Sequence, residues 1–237
     1  TGELFDKIVV DEAQDLIRDS YLDVMGGCLK KGLSRGRWTL FGDFSMQAIY
    51  TEGVSGTRLI EILDDITSFI RFKLTVNCRN TKPICKEIET VTGFKAPHDL
   101  WTKVDGPPVQ YLTWSTMEGQ CKKLKAVLKQ LADSHIEPEK ITILSPRKRE
   151  DSVVSMLDGY VIKDFRVPPG MNTTFCTIQG YKGLENSVII LTDIEGFSAE
   201  KLMYVGLSRA CTGLYILESD SAKREYDNLL MRRLFNE

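Results

Sequence analysis

The sequence is poor in the residues that build metal centres. Two histidines, His98 and His135, occur in 237 residues, and the six cysteines (Cys28, Cys78, Cys85, Cys121, Cys176 and Cys211) include no CxxC pair. That spacing excludes the usual zinc sites and fits reduced thiols of a cytoplasmic protein better than a disulfide framework. No apolar run reaches the roughly 20 residues of a membrane span, and no signal peptide opens the chain, so no membrane partner is expected. A surplus of charge is missing too: 31 basic residues face 33 acidic ones, for a net charge of −2. Such a balance argues against a uniformly basic groove for nucleic acid, although a local patch can still serve. Repeats and low-complexity segments are also absent.

What is present is an alternation of short apolar runs with helical periodicity, the pattern of an α/β protein with a mainly parallel sheet. Ile8-Val9-Val10 is an unbroken β-branched run, predicted to be a strand buried on both faces. It ends abruptly in Asp11 and Glu12, at the carboxyl edge where open α/β sheets bind ligands. Helical spacing follows over residues 13–33, then a strand at 37–41, a loop at 51–56 and a short helix at 57–63. Residues 68–76 are apolar and β-branched enough for a strand, with a domain boundary near residue 72. Further helices are predicted at 82–92, with Pro83 tolerated in the first turn, and at 150–157. Ser115-Thr116-Met117-Glu118 is a capping box opening a helix whose face is Met117, Cys121, Leu124, Leu128 and Leu131. Strands are predicted at 109–113, 141–144, 173–178, 187–192 and 213–217, and residues 93–108 form a surface connection.

Five strings recur at the ends of these strands. They are DEAQD from Asp11, Gly42-Asp43 followed by Gln47 and Tyr50, Asn77-Cys78-Arg79, Thr177-Ile178-Gln179 with Lys182-Gly183-Leu184-Glu185, and Tyr204-Val205-Gly206-Leu207-Ser208-Arg209. In that order they resemble motifs II to VI of the superfamily-one helicases of the UvrD/Rep type. The resemblance covers the chain from about Phe5 to Leu217. It implies parallel-sheet RecA-like domains: a partial first one over residues 1–72 and a complete second one over 73–237, without a large accessory insertion.

The resemblance also implies roles. Asp11 would hold Mg²⁺ beside ATP, Glu12 would orient and deprotonate the attacking water, and Gln47, just after Asp43, would sense the γ-phosphate. Arg79 and Arg209 would contact the γ-phosphate from the second domain, and Glu185 the ribose hydroxyls. Tyr50, Thr177, Gln179 and Lys182 would touch single-stranded or partly duplex DNA. Each arginine is expected to follow a core strand or open a helix. The dense basic run Arg147-Lys148-Arg149 is a further candidate for meeting phosphates.

The sequence departs from the family where bases are stacked. Cys78 replaces the usual aromatic beside the adenine, and Thr51-Glu52-Gly53 stand where a Trp-Arg pair is usual, which leaves stacking to Tyr50 or Tyr181. The family's upstream phosphate loop, GxxxxGKS/T, does not occur in these residues. The expectation is therefore a piece of an ATP-dependent DNA helicase or translocase, inactive alone and partnered by an upstream part of the same polypeptide. An ATP-responsive switch within a larger nuclease or defence assembly, and an RNA-directed enzyme, are the alternatives.

Overall fold

The computed structural model describes residues 4–43, 56–94, 99–100, 105–165 and 170–235. Contacts divide the chain into two compact units, Thr1–Leu74 and Thr75–Glu237.

In the first unit β1 (Lys7–Val10) pairs in parallel with β2 (Arg37–Leu40). Between them run α1 (Asp19–Cys28) and the short α2 (Gly32–Arg35), and α3 (Gly56–Ile66) follows. A small core gathers Ile17, Leu22 and Leu63, with Leu40 and Phe69 packed against it. The predicted helix over residues 13–33 is thus broken: a 3-10 turn (Ala13–Asp15) precedes α1. The expectation of a strand buried on both faces fails for β1, because its Val9 is 60% exposed. Alternation explains it: successive side chains point to opposite faces, and only the face bearing Ile8 and Val10 is half-covered. Residues 68–76 also differ from expectation. Ile70, Phe72 and Leu74 alternate as a strand would but stand 81–87% exposed, and only Val76 and Asn77 enter a ladder.

The second unit holds a six-stranded, all-parallel sheet in the order β5-β10-β9-β6-β8-β7. Its strands are β5 (Gln110–Trp114), β6 (Ile141–Ser145), β7 (Ile162–Asp164), β8 (Thr173–Thr177), β9 (Asn186–Ile194) and β10 (Ala210–Ser219). The short β3 (Val76–Asn77) and β4 (Asp99–Leu100) pair separately. Every residue of β6 is buried, as is β9 from Val188 onward, so both faces need helices. On one face lies α5 (Met117–Asp133), its Cys121, Leu124, Leu128 and Leu131 packing on Ile143, Ile190 and Leu217. On the other lie α4 (Lys82–Thr92), α6 (Glu200–Ser208) and α7 (Asp220–Phe235). Together these are a RecA-like α/β fold.

Local chemistry sets the element ends. Pro83 sits in the first turn of α4, and Gly93 closes that helix in the left-handed region at φ 73°. Thr116, not Ser115, caps α5, its hydroxyl accepting from the Gly119 amide at 3.1 Å. Residues 149–156 form two 3-10 turns rather than an α-helix, because the buried Asp193 captures them. Its carboxylate accepts from the Ser152 hydroxyl (2.6 Å), the Val153 amide (3.1 Å) and the Ser145 hydroxyl (2.7 Å).

A second buried acid has less company. Glu218 of β10 is 2% exposed; one carboxylate oxygen accepts from Thr113 at 3.2 Å, and the other has no partner among the described residues. Burial pushes its carboxyl above the usual range, Glu87 and Asp227 nearby push the same way, and Lys223 opposes. Glu87 of α4, bonded to the Tyr111 hydroxyl at 2.6 Å, is likewise raised by burial. A raised folded pKa means that the native state keeps protons the unfolded chain has released. Stability therefore falls as pH rises from the ordinary carboxylate value through the raised one, and is level above it. Glu218→Gln is expected to raise the melting temperature at pH 8 and to reduce this slope, with the gain fading toward pH 4. Circular-dichroism melts across that range check it, and equal slopes in both proteins contradict it.

Candidate functional site

The first unit gathers its acids at the carboxyl ends of β1 and β2. Glu12 adopts left-handed backbone (φ 52°), which costs a non-glycine residue about 1–2 kcal/mol and turns the chain sharply after the strand. Its amide donates to the Asp11 carboxylate at 2.9 Å, and Asp11 stays exposed. Gln14, fully buried, was not singled out from the sequence, yet it joins the two strand ends. Its amide nitrogen donates to Glu12, and its oxygen accepts from the Asp43 amide at 3.1 Å. Gly42 is required there, since a Cβ would approach the Gln14 oxygen to 2.4 Å. Asp11, Glu12 and Asp43 are thus brought together. Gln47 and Tyr50 lie outside the described residues.

The second unit brings three expected residues together at the amino ends of β9 and β10. Arg79 forms an ion pair with Glu185 across 106 positions of sequence. The backbone amide of Asn186 donates to the Arg209 carbonyl at 3.1 Å. Cys211 senses all three charges: burial raises its thiol pKa, Glu185 adds to the rise, and Arg79 and Arg209 oppose it.

Arg209 corrects one expectation: it ends α6 instead of opening a helix or following a strand. It is 1% exposed. Its guanidinium donates to the carbonyls of Val205 (3.0 Å) and Leu184 (3.2 Å) and to the Ser208 hydroxyl (2.8 Å). Arg79 by contrast follows β3, as expected, and is about one-third exposed.

The expected DNA contacts lie elsewhere. Thr177 ends β8 at the opposite, carboxyl end of the sheet, roughly 13 Å along that strand at ~3.3 Å per residue. Its hydroxyl accepts from the Gly180 amide at 3.1 Å and keeps its own proton to donate. Gln179 is exposed and Lys182 half-buried. Tyr181 is not available to stack on a base: it is buried, its ring meets Phe165 edge-on at 5.9 Å, and its hydroxyl donates to the Glu185 carbonyl at 3.1 Å. The basic run is also largely committed inward. Arg149 donates to the Ile162 carbonyl and lies over the Phe175 ring, while Arg147 pairs with Glu195 at 2.7 Å.

No protein-family model matches the chain, and no curated protein matches it. Among solved structures it is similar to the C-terminal domain of a possible DNA helicase from Lactobacillus plantarum WCFS1. The identity is 16% and the TM-score 0.50, covering 65% of this chain and 96% of that one. It also matches arterivirus nonstructural protein 10 (helicase), at 15% identity and a TM-score of 0.49, covering 97% of this chain and 42% of that one. At such identities the likeness is one of fold. The second unit has a RecA-like α/β fold.

Removing the Arg209 guanidinium takes away three charge-assisted hydrogen bonds, to the Val205 and Leu184 carbonyls and the Ser208 hydroxyl, each worth about 1–3 kcal/mol. Arg209→Ala is expected to cost on the order of 3 kcal/mol in urea unfolding. A loss within about 0.5 kcal/mol, the usual range for a surface substitution, would contradict the buried placement.

Proposed function

We propose that this chain is part of an ATP-dependent helicase or translocase that moves on single-stranded DNA. The observation that carries the reading is the meeting of Arg79 and Glu185 beside Arg209, in a fold of helicase type. A planar guanidinium suits phosphate oxygens, and a carboxylate beside it suits ribose hydroxyls. Arg79 is the guanidinium presented outward; Arg209 stands behind it and reaches phosphate only when the loop around Leu184 yields.

In this reading Glu12 holds and deprotonates the attacking water, its orientation set by the amide of Gln14. Gln47 senses the γ-phosphate. Among the described residues no cluster of three or more His, Cys, Asp or Glu suits a metal. Asp11 is nevertheless a hard, exposed oxygen donor, which fits magnesium, an ion that keeps several waters and takes few protein ligands. When bound with ATP, that ion supplies charge neutralisation on the phosphates. In this reading the acids of the first unit serve the metal ion and the water, and the guanidiniums of the second serve phosphate oxygens. Thr177, Gln179, Lys182 and Tyr50 would hold the DNA strand, and the phosphate loop would come from an upstream part of the polypeptide.

The second reading, an ATP-responsive switch within a larger assembly, is favoured by the burial of Tyr181 and the inward commitment of Arg149. ATP turnover by the polypeptide that joins this chain to a GxxxxGKS/T loop separates the two. A motor is expected to be stimulated strongly by single-stranded DNA, more than by RNA, and Glu12→Gln to lower kcat by about 10²–10⁴-fold. Equal turnover with and without nucleic acid sinks the motor and leaves the switch.

A further inference from the structure

Asn80 has no charge and carries no part of the functional reading so far, yet its buried side chain is fully engaged beside Arg79. It is 4% exposed, and its amide nitrogen donates to two carbonyls, Ser208 at 3.1 Å and Ala210 at 2.6 Å. Those two carbonyls bracket Arg209. Its amide oxygen accepts from the Asn77 amide at 3.2 Å, so both donors and the acceptor are used. Asn77 in turn closes an Asx-type turn, its oxygen accepting from the backbone amides of Arg79 (2.9 Å) and Asn80 (3.1 Å). One residue later the Thr81 amide donates to the Cys211 carbonyl at 3.3 Å. The loop over residues 77–81 is therefore stitched along the end of α6 and the start of β10.

The stitches close a ring. Residues 77–80 bind 208 and 210; the Arg209 carbonyl binds the Asn186 amide; Glu185, next in the chain, holds the Arg79 side chain. A closed ring of this kind passes a displacement of one member to the others.

We propose that Asn80 is a positioning residue that locks the Arg79 loop and the Arg209 junction into one rigid body, so that engagement of a phosphate at Arg79 is transmitted to Arg209. This rests on the nucleotide reading above. Neighbouring side chains in size and polarity do not replace the asparagine. Serine is too short to bridge both carbonyls, glutamine carries an extra methylene into a filled site, and aspartate places an oxygen against two carbonyl oxygens.

The test uses the full-length protein with Asn80→Ser, and Asn80→Asp as an isosteric second variant, each checked for a native melting transition. Hydrogen exchange comes first. Loss of the amide is expected to lower protection at least tenfold over both 77–81 and 205–211, while β6 and β8 keep theirs. Loosening confined to 77–81 overturns the proposal. Affinity for ATPγS relative to ADP is then measured in the wild type, Asn80→Ser, Arg79→Gln and the double variant. The lock predicts a severalfold fall in triphosphate preference for Asn80→Ser and no further fall when Arg79 is already absent. Additive losses overturn it. A purely structural asparagine would lower stability and leave the preference unmoved, which also overturns it. A wild type with no triphosphate preference defeats the nucleotide reading alone, and the exchange result still decides whether the two segments move together.

Discussion

Parallel strands force the chain to travel back along the sheet between every pair, and in the second unit that constraint places the site. Most such returns take a dozen or more residues and a helix. The return from β8 to β9 uses only residues 178–185, with one 3-10 turn (Gln179–Tyr181). So short a path must run close against the sheet face. Ile178 and Tyr181 are buried along it, and Gly206 of α6 gives Ile178 room: a Cβ there would meet Leu191 at 3.2 Å and Ile178 at 3.4 Å. The same eight residues begin beside Thr177 at the carboxyl end and finish at Glu185, beside Arg79, at the amino end. One taut segment therefore joins the positions read as strand contacts to those read as nucleotide contacts.

Buried polar groups divide into those that are saturated and those that are not. Asp193 collects hydroxyls from Ser145 and Ser152 and the Val153 amide, and in this way ties the ends of β6 and β9 to the turns that follow β6. Asn80 is saturated, its nitrogen bonded to carbonyls of a segment far away in sequence, while Arg209 bonds the nearby Val205 and Ser208 and the more distant Leu184 carbonyl. Gln14 does the same work in the first unit on a smaller scale. Because a buried polar group left unpaired costs more than the pair contributes, such residues specify geometry more than they add stability. Glu218, with one oxygen unpaired among the described residues, shows the opposite case.

Much of this architecture was legible because burial and periodicity speak the same language. The helix Lys82–Thr92 follows from Ile84, Ile88 and Val91 at helical spacing with Pro83 in the first turn, and β6 follows from the largely apolar, β-branched run Ile141-Thr142-Ile143-Leu144. The strand β7 was not legible, since only Ile162 of its three residues is buried. Residues 70–74 mislead for the converse reason: their alternation is that of a strand, but pairing depends on a neighbour, which composition does not encode. The site was legible where charge marks it, at Asp11, Glu12, Arg79 and Glu185. It was hidden where the work is done by neutral amides, as at Gln14 and Asn80. Arg209 was legible as a residue and not as an environment, because a guanidinium usually signals surface and here caps carbonyls in the core.

The contacts around Arg79 differ in kind, and the difference sets the order in which they would yield. Its ion pair with Glu185 is partly exposed on both sides, at 35% and 52%, and such pairs are worth roughly 0–1 kcal/mol. The backbone beneath it is held by a half-buried bond to Asn77 and buried bonds from Asn80, the latter costly to leave unpaired. An incoming phosphate thus has to displace only a weak, screened partner, while the loop that aims the guanidinium stays in place. Glu185 released in this way remains tethered by the Asn186 amide and the Tyr181 hydroxyl, both of which act on the main chain and are indifferent to the fate of the carboxylate. The carboxylate is then free to take a hydroxyl partner of its own. A weak pair above a strong scaffold is how two side chains can exchange partners without the fold paying for it.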